Sequence, residues 1–181
     1  MMILASLSSS LYAGSISTTG TAVGTSWRSI DADANGDGFG GGRSSAPITG
    51  LGGFDRASAQ NDLLHWAGDV CFNDMGVPNA LKLIYEVSTL QLIHQSGDQV
   101  FFALDETMDS FVCIEFDDNA AFTGHTTSLI HRVVTGGTGR FEDATGSQSV
   151  TTSGVDLGPF PAAEFAGHGG FEAELSIDLE Y

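Results

Sequence analysis

The segment that most constrains the fold is the C-terminal run from Phe171 to Tyr181. Phe171, Ala173, Leu175, Ile177, Leu179 and Tyr181 alternate with Glu172, Glu174, Ser176, Asp178 and Glu180. A period of two places one set on each face of a β-strand. At helical spacing the same apolar residues would scatter around the axis, so this is a strand with one apolar and one acidic or polar face.

Much of the chain reads the same way. Strands are predicted over 14–27, 62–70, 81–95, 100–105, 111–116, 121–135 and 147–155, in addition to 171–181. Turns are expected at Gly76-Val77-Pro78-Asn79, Ser96-Gly97-Asp98-Gln99 and Asp117-Asp118-Asn119. No segment reads as a long helix. The 24 glycines and 4 prolines among 181 residues fit short strands joined by tight turns. The expectation is an all-β fold, a single closed antiparallel barrel of about eight strands, because closure removes exposed edges. Residues 28–61, rich in Gly, Asp and Ser, are expected to form a long N-terminal loop. A connection of that length points to a functional or ion-stabilised segment. An eight-stranded barrel is either filled by its side chains or holds one small ligand.

Charge narrows the partners. Asp and Glu number 23 against 6 Lys and Arg, a net charge of −17. Such a surface repels phosphates, which argues against nucleic acid and anionic membrane as partners. It favours solubility and cation binding. No apolar run approaches the roughly 18 residues of a membrane-spanning helix. Cys71 and Cys113 are the only cysteines. They are expected to form one disulfide, the alternative being two buried thiols. The long loop so closed would contribute about 4 kcal/mol in the chain-entropy picture. No Cys/His spacing suggests zinc. Residues 1–13 are apolar and resemble a signal peptide, without its basic start and with a poor Leu-Tyr-Ala cleavage site. They are read as a signal-like segment or an assembly strand, with 14–181 as the barrel domain. The protein is expected to be secreted or at the cell surface. It is also expected to form a homo-oligomer, or a polymer through residues 1–14.

Gly136-Gly137-Thr138-Gly139-Arg140-Phe141-Glu142-Asp143-Ala144-Thr145-Gly146 lies between two β-like segments. Its glycines permit positive φ and close backbone approach. Phe141 can then enter the barrel end, with Ala144 and Gly146 leaving room. A phosphate-binding loop is excluded, since no Lys-Ser/Thr follows and no helix opens after it. This stretch resembles the strand-turn-strand signature of the allene oxide cyclase and dirigent superfamily. The wider pattern is similar to secreted bacterial members: the Asp-rich stretch 31–37, Cys71 and Cys113, the Gly97-Asp98-Gln99 turn, and Gly136–Gly146. The resemblance implies an eight-stranded barrel, often dimeric or trimeric, and cyclisation or radical-coupling chemistry on small molecules. No catalytic residue of that family maps onto this chain.

Asp31-Ala32-Asp33-Ala34-Asn35-Gly36-Asp37-Gly38 spaces oxygen donors at alternate positions ahead of a glycine turn. Asp31, Asp33, Asn35 and Asp37 are the candidate Ca²⁺ ligands, as in the first half of a calcium loop. Gly42 stands where an EF-hand carries its bidentate Glu, so a remote carboxylate such as Asp55 would have to complete the site. The ordinary alternative is an Asx-rich turn. No organic cofactor is indicated. No nucleophile elbow or His-based metal motif occurs. The remaining candidates for acid–base work are Glu86 with His94, and His125 with His131, each pair sharing strand parity. The ordinary reading of all four is a surface or hydrogen-bonded residue. Arg132 and Arg140 are read as ion-pair donors. Two functions follow: a barrel that binds, isomerises or cyclises a small apolar molecule, or a non-enzymatic, self-assembling surface protein with Ca²⁺-stabilised subunits.

Overall fold

The computed structural model describes residues 14–28, 42–72, 78–117, 122–156 and 167–181. They form nine strands: β1 (Ser15–Arg28), β2 (Gly42–Leu51), β3 (Phe54–Phe72), β4 (Pro78–His94), β5 (Gln99–Leu104), β6 (Phe111–Phe116), β7 (Phe122–Gly137), β8 (Thr145–Asp156) and β9 (Gly167–Glu180). Each pairs antiparallel with its sequence neighbour in an up-and-down meander, except that β5 and β6 both lie between β4 and β7. β5 meets the C-terminal part of β4 and β6 the N-terminal part, so the two are one interrupted strand. Nine strands thus fill eight barrel positions. β9 closes on β1 over the full length from Ser15↔Glu180 to Arg28↔Gly167. The all-β, closed antiparallel barrel expected from the alternation is the fold.

The strict alternation of β9 explains the closure. Ala173, Leu175, Ile177 and Leu179 are buried in the lumen, while the intervening carboxylates face outward. A lipid-facing barrel would need an apolar outer band instead. Among the described residues no helix is long and apolar enough to cross a membrane. Cys71 of β3 and Cys113 of β6 form a disulfide across β4, with Cα atoms 6.0 Å apart.

Two expectations are corrected. Residues 28–61 are not all loop: 42–51 and 54–61 are paired strand, joined by Gly52-Gly53 with φ of +57° and +94°. The inward residues there, Ala46, Ile48, Leu51, Phe54 and Ala57, do not keep a period of two, because the register shifts between Pro47 and Leu51 and between Phe54 and Arg56, so the alternation that marks β structure in a sequence is broken. The Gly-Gly pair was the readable signal for a tight hairpin. Residues 29–41, with Asp31, Asp33, Asn35 and Asp37, lie outside the described residues, as do residues 1–13. The second correction concerns β4. Its register on β3 shifts between Tyr85 and Val87. Buried positions are Leu83 and Tyr85 before the shift, then Ser88, Leu90 and Leu92 after it. A bulge of this kind re-aims every side chain beyond it.

Candidate functional site

One end of the barrel is plugged. After β7, a 3-10 turn at Gly139–Phe141 carries Phe141 into the barrel end, where it is fully buried. Its ring stacks on Phe54 at 5.2 Å and meets Tyr181 edge-on at 4.8 Å. Arg140 covers the outer side of the Phe141 ring at 4.6 Å and approaches the Asp98 carboxylate at 3.9 Å. Two glycines are indispensable to this geometry. A Cβ on Gly137 would strike the Phe141 carbonyl oxygen, and one on Gly146, at φ +136°, would strike that of Asp178. The Gly97–Gln99 turn docks on the same structure: the Gln99 N–H donates to Thr138 Oγ1, and the Thr138 N–H to the Gln99 carbonyl. The two turns noted separately in the sequence are one closing unit, and Phe141 enters the barrel end as expected.

The other half of the lumen is hollow. A half-enclosed cavity of about 140 Å³ lies among Ala57, Leu90, Ile130, Val150 and Ala173, opening toward Ser26, Gly42, Gly154 and Gly170. Small residues on β1, β2 and β9 leave this space where the other half has Leu92, Val100, Phe102 and Leu179. Between the halves lies Arg132 of β7, 2% exposed. Its side chain crosses from β7 toward β3 and β4. Nε donates to Ser88 Oγ at 2.8 Å, Nη1 to Gln148 Oε1 at 2.8 Å and Nη2 to Asn61 Oδ1 at 3.2 Å. Ser88 Oγ donates in turn to Asn61 Oδ1 at 2.5 Å. All these acceptors are neutral. Burial lowers the Arg132 pKa to about 10, with a smaller opposing charge interaction from Tyr85. The group is still a cation at neutral pH. Gln148 Nε2, also buried, has no partner among the described residues.

Arg132 was read as an ion-pair donor to carboxylates. Its partners are neutral side chains, whereas Arg140 does approach Asp98. The one signal for a lumenal Arg132 was its parity with Ile130 and Val134, and the opposite face blunts it by carrying Leu129 and Val133. Asn61, Ser88 and Gln148 carried no such signal, because short polar residues suit either face of a strand.

The four acid–base candidates all lie outside the cavity. Glu86 is exposed, and the β4 bulge separates its face from that of His94. Eight strand residues also put the two roughly 26 Å apart. His94 packs at the plug, edge-on to Phe54 at 5.5 Å, with the Ser96 N–H donating to its Nδ1 at 3.0 Å. Burial lowers its pKa below 6.5, Arg140 adds to the effect, and Asp98 and Asp55 oppose it. His125 and His131 share a face, but it is the outer one: His125 is exposed and His131 half-buried. Among the described residues no three His, Cys, Asp or Glu converge as a metal site. Among the described residues, the titratable groups lining the cavity are Tyr85, Arg43 and Arg132. The chain matches no protein-family model, no curated protein and no solved structure.

Proposed function

We propose that this chain is a secreted or cell-surface barrel of the allene oxide cyclase and dirigent type, and that it binds a small, largely apolar molecule in the hollow half of its lumen. The observation that carries the reading is the cavity of about 140 Å³, whose walls set Leu90, Ile130 and Val150 beside hydroxyls such as Ser128 and Thr152, with Arg132 at its floor. A cavity of about 150 Å³ lined by apolar side chains takes a guest the size of benzene. Apolar walls with a few converging polar groups are the usual make-up of a ligand site. Support for the superfamily comes from the eight-position barrel and from the glycine turn that seats Phe141. The disulfide fits an oxidising compartment. The acidic segment 31–37 is proposed to bind Ca²⁺. Binding is favoured over isomerisation or cyclisation because, among the described residues, neither imidazole nor carboxylate lines the cavity. The self-assembly alternative rests on residues 1–14. Each described strand is already paired on both sides, which disfavours edge addition to the wall itself.

A thermal-shift titration with toluene tests the ligand site. A hundredfold excess over Kd stabilises the folded state by about 2.7 kcal/mol, or roughly 5–10 °C for a domain of this size. Ala57→Phe and Ala173→Phe, which fill the cavity, should abolish the shift. No shift in the unmodified protein, or an undiminished shift in both variants, would remove the proposed site.

A further inference from the structure

We infer that the occupant of the hollow half is a short organic acid, its carboxylate seated on Arg132 and its apolar body toward Leu90, Ile130 and Val150. The inference rests on the reading of that half as a ligand site. A guanidinium carries five N–H donors. Arg132 uses one each from Nε, Nη1 and Nη2, so two have no partner among the described residues. Gln148 Nε2 adds further unused donors beside them. Both side chains are 2% exposed. Among the described residues no carboxylate lies within ion-pair reach of Arg132. A buried cation without a counter-charge is strongly unfavourable unless something else supplies that charge.

A carboxylate supplies it. Its two oxygens match the planar guanidinium fork and accept several N–H donors at once. A neutral alcohol would leave the charge uncompensated. The floor of the cavity is therefore built for an anionic head and its walls for a hydrocarbon body. Arg132 faces the cavity directly, so no rearrangement of the barrel is needed to expose it.

Calorimetric titration with hexanoate and with 1-hexanol, at neutral pH, tests this. The expected result is hexanoate binding at least tenfold tighter than 1-hexanol, with both lost in Ala57→Phe. Arg132→Gln should bind the two alike. A second variant covers the case in which that substitution does not fold. Gln148→Glu places a carboxylate beside Arg132, so it should raise the melting temperature and remove the preference for hexanoate. Equal affinities in the unmodified protein would overturn the anionic head while leaving the lumenal site intact. Absence of binding by either probe would overturn both. A hexanoate preference that survives in Gln148→Glu or Arg132→Gln would mean the acid binds elsewhere, which also overturns the inference.

Discussion

Two side chains divide the lumen. Phe141 fills one end because its ring is held on three sides, by Phe54, Tyr181 and the Arg140 guanidinium. Its removal would open a void in a part of the barrel with little room to collapse. Phe141→Ala should therefore destabilise the protein by about 3–5 kcal/mol in denaturant titrations. A loss below 1 kcal/mol would show that the plug is not a packed core. Arg132 marks the boundary of the other half, and its position shows why a charge within an apolar-facing register is worth noting in a sequence. Carboxylates are abundant in this chain, so an ion pair was the natural expectation. Among the described residues, the β9 carboxylates face outward, and Arg132 meets three uncharged oxygens.

At the scale of elements, legibility followed side-chain contrast. β9 was readable because bulky apolar and charged residues alternate without exception. β2 and the start of β3 were not, because their buried residues Ala46, Ile48, Leu51, Phe54 and Ala57 are spaced first by two residues and then by three, which breaks the alternation. The β4 bulge was hidden for a different reason: Glu86-Val87 both face outward, and nothing in their composition signals an inserted residue. That one irregularity undid the proposed Glu86–His94 pairing. The disulfide joins β3 to β6 across β4, its cysteines 42 positions apart in sequence, and in the chain-entropy model contributes about 4 kcal/mol. The acidic segment 31–37 connects β1 to β2 in sequence, so an ion held there would stabilise the adjoining strand ends. Chelation with EDTA should lower the melting temperature, and Asp33→Ala should abolish that response. An identical melt with and without chelator would end the Ca²⁺ proposal.

The described residues form a meander barrel closed by the pairing of β9 with β1, with Gly14 and Tyr181 exchanging backbone hydrogen bonds at one end of that seam. Its outer wall is acidic and its lumen is split into a packed half and a hollow half. The chain carries a net charge of −17, and salt screens its exposed charges over about 8 Å at physiological ionic strength. Only the fold class, the disulfide and the Phe141 closure were legible from the sequence. The cavity was not, because it arises from small residues on β1, β2, β3 and β9 that meet only once the barrel closes. Diffraction from crystals pressurised with xenon, which enters apolar cavities, tests that division directly. The account requires a xenon peak among Ala57, Leu90, Val150 and Ala173, and none beside Phe141. A lumen with no xenon on the open side of Arg132, or with xenon at the Phe141 end instead, would contradict it.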